Sequence, residues 1–229
     1  VDRSAIVTAR AVRRDHTFVH RAAALETLVG HPRSGRRGRA GAPFDRSVSA
    51  VISTNRAHEL DTIADNMARQ SALASGDLQV VLVLHGLDVS VPEVEARFRD
   101  QGIEELVVVP ADRSLTLGAC LNRGIDAADG AHIAKIDDDN FYGRHYLDDL
   151  VDAVDFSGAG IAGKWAHYTW LRSTGAVILR FPRSEHRYER LVQGGSILMR
   201  GEVARGLRFS DLPRAVDTDL LNRAQAEGV

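Results

Sequence analysis

The sequence predicts an α/β domain built on a mostly parallel sheet. Three observations carry this. Apolar, β-branched runs near 48–54, 78–84, 106–109 and 131–136 alternate with segments of helical period. The chain has 229 residues, enough for one domain of about 180 residues and an appendage. The fourth run ends in Lys135-Ile136-Asp137-Asp138-Asp139-Asn140, and open α/β sheets bind their ligands beyond the carboxyl ends of strands.

The elements follow in order. Residues 1–29 are mixed, with Ala22, Ala23, Leu25, Leu28 and Val29 able to form one apolar helical face. Residues 31–43 are rich in Gly, Pro and Arg without periodicity, which predicts a linker. Residues 1–46 are therefore set apart from a folded domain at 47–229. Val48 to Thr54 predicts a buried strand. A helix is expected over 57–74, with Leu60, Ile63, Ala64 and Met67 facing the core. Gly76 marks its end. Leu78 to Leu84 predicts a second strand, ending at His85-Gly86. Pro92 opens a helix over 92–101. Leu106 to Val109 is a third strand, closed by Pro110. A helix over 117–128 turns Leu117, Leu121, Ile125 and Ala128 inward, with Gly124 a weak point. After the acidic strand, a helix is expected over 142–154. Strands follow at 175–180 and 196–199, in a more antiparallel part. Asp217 opens a last helix toward Gly228.

Three adjacent carboxylates at a buried strand end repel one another and are costly to desolvate. A divalent cation offsets that cost, and hard oxygen ligands suit Mg²⁺ or Mn²⁺. We therefore read Asp137, Asp138 and Asp139 as a metal and phosphate site; a solvated acidic turn is the alternative. A second acidic pair, Asp217 and Asp219, lies near Arg223. Transfer from a nucleotide diphosphate needs both parts: a cation for the leaving group and a carboxylate that takes the acceptor's proton.

Composition narrows the classes. The net charge of −2 points to neither nucleic acid nor an acidic membrane surface as partner. The single cysteine, Cys120, allows no internal disulfide, so oxidising secretion is not indicated. No apolar run approaches the ~20 residues of a transmembrane helix, and no signal-peptide pattern stands at the start. The expected location is the cytoplasm, including the inner face of a membrane. The start at Val1 suggests a piece of a longer protein. Oligomeric state is not encoded in any motif here.

From about Val48 to Gly228 the chain resembles the GT-A fold nucleotide-sugar glycosyltransferases, in particular the inverting family 2. The resemblance rests on Val48-Ser-Ala-Val-Ile-Ser-Thr-Asn-Arg56, on Leu117-Gly118 through Asn122-Arg123-Gly124-Ile125, on Asp129-Gly130, on Lys135 to Asn140, and on Asp217-Thr-Asp-Leu-Leu-Asn-Arg223 with Gly228. It implies a Rossmann-like, mostly parallel central sheet flanked by helices, after a short N-terminal extension. It implies a nucleotide-diphosphate sugar donor, with UDP-sugars favoured, and a hydroxyl acceptor such as a glycan or polyol. By position, Asp139 would hold Mn²⁺ or Mg²⁺ together with Asp137. Thr54, Asn55, Arg56, His85, Asn122, Asp137 and Asp138 would line the nucleotide pocket. Gly194, Gly195, Ser196 and Trp165 would lie on the acceptor side. Asp217 would be the general base, with Asp219 and Arg223 as supporters.

The sequence departs from that pattern at His85-Gly86, where the family usually carries an acidic residue for the base; Asp88 follows. Val216 stands where a Glu often precedes the Asp. Two other functions remain open: a non-catalytic sugar-nucleotide-binding or scaffold domain of a larger transferase, and a nucleotidyltransferase. The second would want a Gly-rich basic loop after the first strand, which Ser53-Thr54-Asn55-Arg56 is not. Several residues have plainer readings. Asp217 could be a helix N-cap. Trp165, Tyr168 and Trp170 could stack on sugars or pack in a core. Arg180, Arg183, His186, Arg187 and Arg190 read as a solvated basic loop or a diphosphate grip.

Overall fold

The side chains of β1 (Val48–Thr54) alternate between two cores. Val48, Ala50 and Ile52 enter one and Val51 the other, as the two-residue period of a strand requires. The computed structural model describes residues 3–15 and 45–229. The helix expected at 22–29 and the linker at 31–43 lie outside the described residues. The chain divides into two units, Val1–Arg46 and Ser47–Val229. The first contains α1 (Arg3–Asp15), which the search for an apolar face passed over. Its alanines and arginines are strong helix formers, and its apolar residues gather on one side.

In the second unit β1 is flanked by two parallel neighbours, β2 (Leu78–His85) and β4 (His132–Ile136). β3 (Leu106–Ala111) lies parallel outside β2. β8 (Leu198–Arg200) pairs antiparallel with β4, and β5 (Ile161–Ala162) antiparallel with β8. The order is β3-β2-β1-β4-β8-β5. β3 runs two residues past the expected end and includes Pro110. An edge strand tolerates proline, because one side of its ladder is unpaired.

One face of the sheet is covered by α2 (Leu60–Ala68), α3 (Ser71–Ala74), α4 (Val91–Asp100) and α6 (Tyr146–Ser157), with Ile63, Met67, Phe98 and Leu147 buried there. The other is covered by α5 (Leu117–Asp126), α7 (Gly201–Leu207) and α8 (Val216–Glu227), with Leu121, Ile125 and Leu220 buried. Each such side chain contributes ~1.5–3 kcal/mol by leaving water. Helices on both faces of a mostly parallel sheet make the doubly wound α/β architecture.

Three expected boundaries are corrected. The helix over 57–74 breaks into a 3-10 turn (Ala57–Glu59), α2 and α3. At the break, Ser71 gives its amide to Arg144 O at 2.8 Å, outside the helix. Asn66 and Gln70, both buried, turn their amides to the 140–147 segment: Asn66 Nδ2 donates to Asn140 O at 2.7 Å and Gln70 Nε2 to Gly143 O at 3.2 Å. The helix expected from Tyr142 starts at Tyr146, since Tyr142 N donates to Asn66 Oδ1 at 3.0 Å. The strand expected from Ser196 starts at Leu198, after a 3-10 turn over Gly194–Ser196.

A separate hairpin joins β6 (His167–Leu171) to β7 (Ala176–Arg180). Its register puts Tyr168, Trp170, Val177 and Leu179 on one face, all exposed. Among the described residues no helix is long and apolar enough to cross a membrane.

Candidate active site

The chain runs outward from β1 to β2 and β3, then returns to β4 on the other side of β1. The strand order thus reverses between β1 and β4, the kind of switch point at which such sheets bind ligands. Thr54-Asn55-Arg56 leave β1 there, and Asp137-Asp138-Asp139 leave β4.

The middle carboxylate of the triplet is a fastening. Thr54 Oγ1 donates to Asp138 Oδ2 at 2.6 Å, and Arg56 Nε donates to the same oxygen at 3.1 Å. Arg56 Nη2 pairs with Asp138 Oδ1. A buried carboxylate needs such partners, or its desolvation costs several kcal/mol. Asp138 is therefore turned back onto the end of β1. Arg56 Nη2 also lies 3.0 Å from Asp139 Oδ2. Hydrogen bonding to Asp138, and then Asp139, holds the guanidinium above its ordinary pKa against burial.

A buried cation joins the outer carboxylate to the far end of the chain. Lys135 is in β4, with its side chain 5% exposed. An ammonium has three protons, and three acceptors meet it. They are Asp137 Oδ1 at 2.6 Å, Gly194 O at 3.2 Å and Asp217 Oδ2 at 3.4 Å. Asp217 Oδ1 is also an ion-pair contact at 3.2 Å, without hydrogen-bond alignment. Burial works against the Lys135 charge, but Asp137 and Asp217 hold its pKa above the ordinary value. Burial pushes the Asp217 carboxyl up, against the pull of Lys135. A raised pKa makes a carboxylate a better proton acceptor. The sequence reading did not single out Lys135. The available signal was a lysine inside an apolar strand, where an unpaired charge is prohibitive.

Asp217 is not a helix cap. The cap position of α8 is Ala215, in the left-handed region at φ 58°, and Asp217 lies in the first turn with its side chain on Lys135. Two glycines make room for the carboxylates. A Cβ on Gly194 would lie 2.1 Å from Asp217 Oδ2, and one on Gly195 would lie 2.4 Å from Asp137 Oδ2. Tyr142, buried, closes the arrangement: its hydroxyl accepts from Asp137 N at 2.9 Å and donates to Gly195 O at 2.7 Å.

Asp137 and Asp139 remain as oxygen donors toward solvent, their side chains 33% and 50% exposed. Among the described residues no three His, Cys, Asp or Glu side chains converge as a metal cage. Two carboxylates completed by substrate phosphates and water are the set that Mg²⁺ commonly takes, so these residues fit a hard divalent ion.

The other expected residues divide. Asn55 is exposed after β1. His85 ends β2 with its Nε2 buried and without a hydrogen-bond partner. Asn122 is engaged elsewhere: it donates to Phe209 O at 2.8 Å and accepts from Phe209 N at 2.9 Å, fastening α5 to the segment before α8. Ser196 is buried, with its hydroxyl on Gln193 O at 2.7 Å and Lys164 N at 2.8 Å, so it serves the turn. Trp165 stacks on Phe181 at 4.4 Å, apart from the exposed Tyr168 and Trp170. Asp219 accepts from Ser210 Oγ at 2.6 Å and Arg223 Nε at 2.9 Å. In the basic segment, Arg187 pairs with Glu189 at 3.1 Å and Arg190 Nε donates to Gln225 Oε1 at 3.1 Å.

The chain is similar in fold to several solved transferases. It matches TarS of S. aureus with a TM-score of 0.62 at 16% identity, covering 78% of this chain and 33% of that one. A TarS 1–349 complex with UDP-GlcNAc matches with a TM-score of 0.58 at 15% identity, covering 78% and 53%. The mannosyltransferase PcManGT from Pyrobaculum calidifontis, in complex with GDP-Man and Mn²⁺, matches with a TM-score of 0.58 at 18% identity, covering 78% and 51%. The chain thus spans between a third and about half of these neighbours. No curated protein matches it in sequence. The fold is GT-A: a mostly parallel central sheet flanked by helices, as in these neighbours. The family model of Glycosyl transferase family 2 matches residues 50–214, most of the domain, and the chain belongs to that family.

Proposed function

We propose that this domain transfers a sugar from a nucleotide-diphosphate donor to a hydroxyl acceptor, with inversion at the anomeric carbon and with a divalent cation. One observation carries the reading. Asp137, on the metal-facing side, and Asp217, from the other end of the chain, meet on one ammonium at the switch point of the sheet. Mn²⁺ or Mg²⁺, held by Asp137 and Asp139, would supply charge neutralisation for the departing diphosphate.

The chain's own groups do the rest. Asp217 accepts the proton of the acceptor hydroxyl as its oxygen attacks the anomeric carbon from the face opposite the diphosphate. Gly194 and Gly195 let a sugar approach the backbone. Thr54, Asn55 and Arg56 border the nucleotide, and Arg56, already beside Asp139, is placed to meet diphosphate oxygens. His85, with a free ring nitrogen at the end of β2, is placed for the nucleobase. Two of the solved neighbours are complexes, one with UDP-GlcNAc and one with GDP-Man. UDP-sugars are the donors we favour, and the acceptor is a glycan or polyol. The cytoplasm is the proposed compartment.

Calorimetry with UDP, GDP, dTDP and CDP, each with and without Mn²⁺, tests this on wild type and Asp139→Ala. We expect one nucleotide to bind tightly only with Mn²⁺, and Asp139→Ala to weaken it at least ~10-fold, the scale of a lost metal ligand or its support. Metal-independent binding, unchanged in Asp139→Ala, would remove the metal from the reading. Metal-linked binding without transfer or hydrolysis, unaffected by Asp217→Asn, would favour a binding module.

A further inference from the structure

We infer that Lys135 is the positioning residue of the acceptor-side base: its ammonium fixes the Asp217 carboxylate in place and ties it to the carboxylate that faces the metal. This rests on Asp217 being the base, as proposed above. The evidence for Lys135 itself is geometric.

Nothing else within the site could do this work. Asp217 enters from the first turn of α8 and Asp137 from the end of β4, two elements with no direct hydrogen bond between these side chains. Lys135 touches both, at 2.6 Å and at 3.2–3.4 Å, and also the backbone of Gly194, over which the Asp217 carboxylate lies. The other cations beside the triplet or on α8 are committed: Arg56 holds Asp138 and Asp139. Arg223 holds Asp219 and the carbonyls of Leu207 and Arg208. Without Lys135, two carboxylates would share a partly buried space with no countercharge, and Asp217 would lose the contact that sets its rotamer. A base displaced by about 1 Å can lose two orders of magnitude in rate.

The predicted division of labour is specific. Lys135 acts on the step that needs the base and not on the donor. Lys135→Met should lower kcat about 100-fold while the donor KM changes less than about threefold, as for an interaction realised in the transition state. Calorimetric binding of UDP with Mn²⁺ should be retained, because Asp139 is untouched, Tyr142 still holds the Asp137 backbone, and the greater net negative charge offered to the cation opposes the loss of the Lys135 hydrogen bond to Asp137. An arginine is too long for this buried position, so Lys135→Arg should not rescue.

The experiment is a double-mutant cycle on four proteins: wild type, Lys135→Met, Asp217→Asn and the double variant. Thermal melting is read first. The double variant should melt no lower than Lys135→Met alone, because neutralising the orphaned carboxylate removes its penalty. Strictly additive melting shifts would overturn the pairing, whatever the activity. Turnover of UDP-N-acetylglucosamine with Mn²⁺, water serving as acceptor, is read second. If Lys135 acts through Asp217, the double variant should turn over no more slowly than Asp217→Asn. Full activity in Lys135→Met, with Asp217→Asn dead, would overturn the positioning role alone. Full activity in Asp217→Asn would instead overturn the base assignment beneath it. Multiplicative rate losses would show that Lys135 acts independently and would also overturn the proposal.

Discussion

A methyl group at residue 194 should disable the base with little harm to the donor site. In Gly194→Ala the new Cβ would lie 2.1 Å from Asp217 Oδ2, 2.7 Å from its Cγ and 3.0 Å from its Cβ. Ordinary contact begins near 3.4 Å, so the carboxylate must move by about 1.3 Å, enough to cost a rate factor of about 10² where geometry is decisive. Rotation about χ1 relieves the oxygen but carries it off Lys135, and the Asp217 Cβ cannot rotate away. The expected loss in kcat is about 100-fold, or ~2.7 kcal/mol of transition-state stabilisation. Overpacking at a partly exposed site should cost ~1–2 kcal/mol of stability. The assay is turnover of UDP-N-acetylglucosamine with Mn²⁺, beside calorimetric UDP–Mn²⁺ binding and a thermal melt. Binding within about threefold of wild type, with turnover lost, is the expected pattern. Wild-type turnover with an unshifted melt would refute the close approach of Gly194 to Asp217, and with it the geometry assigned to the base.

Other outcomes follow from particular contacts. Tyr142→Phe strands Asp137 N and leaves Gly195 O only the Tyr146 hydroxyl at 3.4 Å, so it should cost ~1–3 kcal/mol and weaken UDP–Mn²⁺ binding by loosening Asp137; melting and calorimetry check both. Gly124→Ala should destabilise by ~1–2 kcal/mol although alanine is the better helix former; its Cβ would meet Val51 Cγ1 at 2.4 Å, and a urea titration that found it more stable would sink the reasoning. Hydrogen bonding to Arg208 holds the Asp126 carboxyl below its ordinary range. A depressed folded-state pKa gives stability that is present above the unfolded value near 4 and is lost as pH falls through the folded value. Asp126→Asn should therefore be less stable than wild type at pH 7, by under ~1 kcal/mol because the pair is half exposed. Urea midpoints of the two proteins should converge below about pH 4.

The sheet was legible because its strands obey simple rules. β1, β2 and β4 are buried on both faces and read as short apolar runs, and α2 and α5 carry their core residues at helical spacing. The acidic triplet was legible because three carboxylates at a strand end need an explanation. What each carboxylate does was not. That Asp138 fastens the two strand ends was hidden, because its partners Thr54 and Arg56 are more than eighty residues away in sequence. Asn66 and Gln70 fall in the expected helix outside its stripe of core residues, and they hold the loop that carries Tyr142. No local pattern marks a polar side chain whose partner is a distant backbone group. Lys135 is the exception, since a lysine in a five-residue buried strand demands an anionic partner.

The direction of β8 explains why the proposed base comes from so late in the chain. Parallel strands β1, β2 and β4 deliver their exits to the switch point. β8 is antiparallel, so its entrance arrives there, and the Gly194–Ser196 turn comes to lie beside Asp137. Lys135 N donating to Ile197 O at 2.8 Å sets that register. Having entered at the site, the chain leaves from its far side. It must come back before α8 can present Asp217. The segment 208–215 makes that return, and the polar residues around it are its guides. Asn122 brackets Phe209, Asp219 takes the hydroxyl of Ser210, Thr116 pairs with Asp211, and Ala215 turns the chain through a left-handed residue into α8. Asn122 and Asp219 are therefore engaged in the path that places Asp217. A similar sequence pattern without this return would keep the proposed nucleotide site at the ends of β1 and β4 and would lack the proposed base.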